Sequence, residues 1–297
     1  MNDAVLFIVF NRPDPTARVM NAIREAKPPR LYVAADGPRN HKSGEKEKCE
    51  LVRKIATDVT WPCEVKTLFQ KENLGCGKGV SSAITWFFQH EEKGIILEDD
   101  IVPNLSFFPF CEELLIKYKD EKQIWQIGGS NFQKGKKRGD GDYYFSRYSH
   151  IWGWATWADR WKHYDFELSR LKDASFLTKV FKQPEVCQFW QNNFYKMKEL
   201  KIDTWDHQWT FTVWEHEGLA IIPNKNLISN IGFSLDATHT KKPSEFSQMP
   251  SYSIEIKNHP SQIQVNEEAD LFTFHHHYAR PFLVKVWGVL KRYLHAR

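Results

Sequence analysis

Short apolar runs alternate with charged, amphipathic stretches along the first hundred residues. Ala4-Val5-Leu6-Phe7-Ile8-Val9-Phe10 is continuous rather than alternating, which suits a strand covered on both faces of a parallel sheet. Asn11-Arg12-Pro13-Asp14 makes a turn. Residues 15–27 read as a helix, with Asp14 as N-cap and Pro15 at the first helical position, and Pro28-Pro29 stops it. Residues 30–35 form a second strand that runs into Asp36-Gly37-Pro38. A charged helix over 44–59, a strand over 63–69, a glycine-rich turn over 73–79, a helix over 80–90, a strand over 94–97 and a helix over 105–118 follow. Four strand–helix alternations predict an α/β fold with a mostly parallel central sheet flanked by helices, Rossmann-like in plan.

The second half is less regular. Residues 124–128, 143–145 and 220–222 read as short strands. Residues 134–142 form a flexible loop by composition, and 151–164 carry Trp152, Trp154, Trp157 and Trp161. Residues 168–200 read as helix broken at Pro184, and 223–240 as a polar loop. No repeat or linker interrupts the chain.

The chain has 297 residues, 41% hydrophobic and 26% charged, an ordinary globular balance. Aromatic residues make up 14%, which serves a core and also serves flat ligands such as sugars and nucleobases. No apolar run approaches the roughly 18–20 residues that span a bilayer, and no basic-then-apolar leader opens the chain. Five cysteines, odd in number and without a Cys-x-x-Cys pair, argue against a zinc site and a disulfide framework and favour a reducing, cytoplasmic setting. Net charge is +4, but Arg280, Lys285, Lys291, Arg292 and Arg297 sit in a tail without acids; the remainder holds 36 basic against 37 acidic residues. A basic face for nucleic acid is therefore not expected. The tail's apolar stripe, Leu283, Trp287, Leu290 and Leu294, makes a basic amphipathic helix. Such a helix suits peripheral contact with the inner, anionic face of a membrane, and equally suits packing on its own domain.

Candidate chemistry gathers at the predicted strand ends, where open parallel sheets bind their ligands. Gly94-Ile95-Ile96-Leu97-Glu98-Asp99-Asp100 ends a strand in three adjacent carboxylates, whose repulsion a hard divalent cation would relieve. Arg12, after the first strand, offers a guanidinium for a diphosphate. Asp36, after the second, can accept from a nucleobase imide or a ribose hydroxyl, or simply form the turn before Gly37-Pro38. Gly75-Cys76-Gly77-Lys78-Gly79 is neither a P-loop nor a dinucleotide fingerprint, since Ser82 stands where the third glycine would be. Asp206, between Trp205 and Trp209, is a candidate general base whose proton affinity desolvation would raise, or a helix-capping acid. His239, in a polar loop, is a candidate metal or phosphate contact. His275-His276-His277 cannot all face one way and make a poor metal site.

Phe10-Asn11-Arg12-Pro13, Val33-Ala34-Ala35-Asp36-Gly37, Asn73-Leu74-Gly75, Leu97-Glu98-Asp99-Asp100, Trp152-Gly153-Trp154 and Trp205-Asp206 occur in this order. As an ordered set they resemble the GT-A glycosyltransferases of the family 2 type found in bacterial polysaccharide clusters and, more remotely, the animal N-acetylglucosaminyltransferase I family. The resemblance spans about residues 4–240. It implies a GT-A domain over 1–245, with a nucleotide-binding half over about 1–103 and an acceptor half over about 104–245, followed by an extension over 246–297. It implies a UDP-sugar donor, N-acetylglucosamine among the sugars, and a glycan or lipid-linked acceptor in surface polysaccharide synthesis. It further implies that Asp100 holds Mn2+ or Mg2+ bridging the diphosphate, and that Asp99 contacts ribose or metal while Glu98 faces the sugar. Asn11 and Arg12 would serve the donor, Arg12 at its diphosphate, and Asp36 would hold uracil. Asp206 would be the base, and His239, matched by position, would close over the diphosphate as a second metal contact. An inverting transfer needs one base and a stabilised leaving diphosphate, and these residues can supply both. Two other readings stay open: a nucleotidyltransferase, which would want a glycine-rich, lysine-containing loop after the first strand, and a non-catalytic module holding a cation or nucleotide.

Overall fold

The structure, a computed structural model, describes residues 1–233 and 245–279. The first half runs β1 (Ala4–Val9), α1 (Pro13–Ala26), β2 (Arg30–Ala35), α2 (Glu45–Ala56), β3 (Glu64–Phe69), α3 (Gly75–Phe88), β4 (Lys93–Glu98) and β5 (Ile101–Pro103). The second runs α4 (Phe107–Lys117), β6 (Ile124–Gly128), β7 (Tyr143–Ser146), β8 (Trp154–Trp157), α5 (Ala158–Trp161), α6 (Leu177–Val180), α7 (Pro184–Leu200), α8 (Asp206–Glu215), β9 (Leu219–Pro223), β10 (Ile228–Asn230) and α9 (Glu267–Thr273). Among the described residues one sheet has the order β3-β2-β1-β4-β8-β6-β9-β7, and β5 and β10 form a small antiparallel pair beside it. Within the large sheet β7 and β8 run against the other strands, so the α/β architecture with a mostly parallel centre is as the pattern predicts.

The unbroken apolar run of β1 follows from its place in the middle. All six of its residues are buried, with β2 on one side and β4 on the other. Its period-two alternation divides the core. Val5, Phe7 and Val9 pack with Val19 and Ile23 of α1, Val52 of α2 and Leu114 of α4. Ala4, Leu6 and Ile8 pack on the opposite face with Ile84 and Phe87 of α3 and with Trp209 and Trp214 of α8. Helices thus cover both faces, as a parallel sheet requires. Most of the tryptophans are core: Trp154, Trp190, Trp209 and Trp214 are fully buried, and Trp154 stacks on Trp205 at 5.7 Å.

The element boundaries differ from the sequence reading at informative places. Helix α1 starts at Pro13, which needs no N–H there; Arg12, not Asp14, precedes it, and Asp14 instead sits in the first turn near the positive end of the helix dipole. Helix α3 starts at Gly75, so the glycine-rich stretch is its first turn rather than a loop before it. Pro184 does not break a helix but opens α7. The polar loop after residue 223 contains β10, which pairs with β5. The segment after residue 245 is woven into the sheet edge. Val265 bridges to Phe145, and Arg147 binds Glu267 and Asp270 of α9. A turn of π-helix, Phe274–Tyr278, follows α9.

Candidate functional site

Strands β2 and β4 lie on opposite sides of β1, so the connections leave the sheet in opposite directions and open a crevice at the carboxyl ends of these strands. An open cavity of about 180 Å³ occupies it, and Asn11, Arg12, Asp36, Arg39, Glu98 and Asp99 are on its walls. Five of the sequence-predicted residues therefore meet in one cleft.

The acidic triplet is not three equivalent groups. Asp99 is buried and accepts from the Arg12 guanidinium at both oxygens. Asp100 pairs with the same guanidinium, Nη2 to Oδ2 at 2.9 Å. Burial works against the Arg12 charge, but the two aspartates outweigh it and raise its pKa. Arg12 is thus the counter-ion of the triplet and not the free guanidinium that the sequence suggested for a diphosphate. Among the described residues Glu98 has no such ion pair; burial and then the charges of Asp100 and Asp99 push it up to about 8. Asp99 is pushed up to about 6 by burial, with Arg12 opposing. Gly232 lies against Asp100 so closely that a Cβ there would collide with its carboxylate, and the Ile231 N–H bonds the Asp100 carbonyl.

Asp36 lines the cleft, but its carboxylate is taken up within the protein. It accepts from Gly37 N–H at 2.8 Å, Leu74 N–H and Asn73 Nδ2 at 2.9 Å, and Gly75 N–H at 3.2 Å. It caps the first turn of α3. Asp203 does the same from the other side, accepting from Cys76 N–H at 3.0 Å and Gly77 N–H at 2.7 Å. The glycines make this approach possible: Gly75 has φ +81, and a Cβ on Gly77 would stand 2.9 Å from the Thr204 carbonyl. Asn11 is likewise occupied, donating to Glu45 at 2.8 Å. Glu45 is gripped by Arg39 through its Nε, Nη2 and backbone N–H, and the Arg39 guanidinium lies 5.3 Å from the Phe10 ring centroid. Arg39, Glu45 and Asp203 carry no motif; they are site residues only because the turns after β2 and α7 bring them to the same strand ends.

Asp206 is the first residue of α8 and half-buried. Its Oδ1 accepts from the Thr204 hydroxyl and from His207 Nδ1, the latter at 3.1 Å. The expected rise in its proton affinity does not occur. Burial acts in that direction, but the His207 hydrogen bond and charge outweigh it, and the carboxyl is held at about 2. His207 is correspondingly raised. Asp206 is not on the wall of the cleft but lies near it. Its charge is felt by Glu98 and by Cys76, both in the cleft, and it also lines a second cavity with Trp152, Trp190, His207, Thr210 and Tyr278. Of the Trp-rich segment Ile151 and Trp152 reach that cavity. The 134–142 loop does not line either one; its Gly139 and Asp140 border a separate pocket against residues 260–266.

His239 and the basic tail helix lie outside the described residues. Among the described residues no group of three or more His, Cys, Asp or Glu is arranged as a ready-made metal cage. The donor set at Asp100, a carboxylate beside two further acids, still fits a hard cation that draws most of its ligands from phosphate oxygens and water. Among the described residues no helix is long and apolar enough to cross a membrane.

No family model and no curated protein matches the chain. Among solved structures it is similar to HddC from Yersinia pseudotuberculosis, with 12% identity over 57% of this chain and 85% of that one and a TM-score of 0.34. It is also similar to a UDP-glucose pyrophosphorylase complexed with UDP-glucose, with 8% identity over 75% and 90% and a TM-score of 0.37. Likeness this remote carries nothing about activity.

Proposed function

We propose that the protein is a nucleotide-sugar-dependent glycosyltransferase, using a divalent cation, with the donor in the cleft over β1 and β4 and the acceptor on the far side of Asp206. The observation that carries this reading is that one carboxylate, Asp206, lines a cavity walled by aromatic side chains and lies near enough to Glu98, in the acid-rich cleft at the sheet's switch point, for its charge to act there. A nucleotide sugar bound in the cleft would point its anomeric carbon toward Glu98 and Asp206. The acceptor hydroxyl would give its proton to Asp206 as its oxygen forms the new bond to that carbon. The bond to the diphosphate breaks with its electron pair leaving on the diphosphate. A cation at Asp100 would supply Lewis-acid stabilisation of that leaving group. Arg12 holds Asp99 and Asp100 in place, and Asp36 and Asp203 hold the first turn of α3, which forms one wall of the cleft.

Held at about 2, Asp206 alone is a weak base. The working base is therefore the Asp206–His207 pair in the state where His207 is neutral, because the imidazolium is what depresses Asp206.

Nucleotidyl transfer is the competing reading. It calls for a mobile cation-bearing glycine loop after β1, where this chain has Asn11-Arg12-Pro13 with Arg12 tied to two aspartates. A donor screen separates the two. Incubated with Mn2+ and a panel of UDP-sugars, the protein should release UDP slowly from at least one of them. Pyrophosphate release from UTP and a sugar 1-phosphate, without UDP release, would replace transfer by nucleotidyl chemistry. Neither product would leave a binding module.

A further inference from the structure

We propose that the second cavity binds an uncharged saccharide, the acceptor, and that the π-helical turn after α9 forms one of its walls. The inference rests on the transfer reading for the word acceptor, but the site and its chemistry stand on their own observations.

The cavity, about 180 Å³, combines ring faces with a few hydroxyl and imidazole groups. Phe132, Trp152 and Trp190 supply apolar faces, and Tyr278 adds a fourth, stacked on Tyr148 at 5.1 Å and set edge-on to Trp190 at 4.8 Å. A pyranose presents such a surface with a C–H face and an equatorial ring of hydroxyls. The hydrogen-bonding complement is present: the Ser149 and Thr210 hydroxyls, 3.3 Å apart, and His207 beside Asp206.

Charge decides against an anionic ligand. Among the described residues no Lys or Arg lines the cavity. Asp206 is neutralised when His207 is protonated and leaves a net negative charge when His207 is neutral, and neither state attracts an anion. His150 is buried and held well below its usual pKa, first by burial and then by His277, so it is neutral. A carboxylate or phosphate entering here would lose water and meet, among the described residues, no cation beyond a His207 already paired with Asp206, a cost that a neutral sugar avoids. The wall contributed by His277 and Tyr278 belongs to the chain's last described element. That turn continues α9, which is fixed to the body through Gln133, whose amide donates to the Ala269 carbonyl at 3.1 Å and to the Thr273 hydroxyl at 2.8 Å. The extension after residue 245 thereby acquires a role in selecting ligands.

Saturation-transfer difference NMR on the full chain tests this with neutral methyl hexosides and N-acetylhexosaminides, methyl glucuronide and a hexose phosphate, each at millimolar concentration. UDP and Mn2+ are present, and UDP binding is followed in the same sample. Transfer to at least one neutral glycoside and none to the two anions is expected. Thr210→Val, which keeps the shape and removes one hydrogen bond, should weaken the neutral ligand about fivefold. Tyr278→Ala should weaken it more, with UDP binding unchanged in both variants. Anions binding as well as neutral sugars, neutral binding indifferent to both variants, or no saccharide binding while UDP binds would each overturn the proposal. Loss of UDP binding with neutral-sugar binding intact and Thr210-dependent would sink the transferase reading and leave the saccharide site standing. A melting temperature for each variant identifies any that fails to fold, and Ser149→Ala then replaces it with the same expectation.

Discussion

Glu45 offers a quantitative test of how the cleft is held. It is 4% exposed at the start of α2, and it receives Arg39 N–H at 2.7 Å, Arg39 Nε at 2.9 Å and Asn11 Nδ2 at 2.8 Å. Chiefly through the Arg39 guanidinium, its carboxyl is lowered from 4.5 to about 2. A shift of that size corresponds to about 3 kcal/mol of folding free energy. Glu45→Gln keeps the shape and removes the charge, so it should destabilise the protein by about 2–3 kcal/mol at pH 7. The folded pKa lies below the unfolded one; the contribution is therefore complete above pH 4.5 and disappears as pH falls through 2. Urea denaturation of wild type and variant at pH 7 and at steps between 4.5 and 2.5 measures the gap directly, and other titrating carboxylates cancel in the difference. The gap should close as the solution is acidified. A gap that does not change with pH, or one below about 0.5 kcal/mol at pH 7, would refute the reasoning and make the cluster an ordinary surface pair.

The capping of α3 makes two further predictions. Gly77→Ala places a Cβ 2.9 Å from the Thr204 carbonyl and 3.0 Å from Asp203 Oδ1, and should cost about 1–3 kcal/mol in a chemical denaturation series. Asp203→Ala leaves two N–H groups of the first turn without their acceptor and should cost about 1–2 kcal/mol, with Asp203→Asn recovering part of it. Activity should depend on the neutral state of His207. Because its pKa is raised, turnover should climb with pH through a value above 6.5, and His207→Gln should abolish that limb in a kcat–pH profile; a limb that survives the substitution belongs to another group.

The parallel half of the sheet was legible because its code is local. Continuous apolar runs mark strands covered on both sides, as in β1, and polar residues immediately after them mark the ligand-facing ends. Asn11, Arg12, Asp36, Glu98 and Asp99 follow from that rule alone. What local pattern could not reveal is who pairs with whom. Arg12 has the chemistry of a phosphate ligand, but its distance from Asp99 and Asp100 is set by strand order, not by sequence spacing. Asp36 reads equally as nucleobase contact and helix cap until Leu74 and Gly75 are brought beside it. His207 adjoins Asp206 in sequence, yet the depression of Asp206 depends on an imidazole orientation that spacing does not fix. Tryptophan count misled for a related reason: Trp154 and Trp161 pack against each other and against Trp209 of the distant α8, and only burial separates them from Trp152. Short β10 was invisible because three residues paired with β5 carry no periodicity.

In the proposed reaction the cleft binds a nucleotide sugar's diphosphate through a cation at Asp100, while Asp206 acts only on the acceptor. Calorimetry of UDP in the presence and absence of Mn2+, on wild type, Asp100→Asn and Asp206→Asn, tests it most directly. Mn2+-dependent UDP binding is expected in wild type, lost in Asp100→Asn and retained in Asp206→Asn. UDP binding that ignores Mn2+, or that is lost with Asp206 and kept with Asp100→Asn, would contradict it.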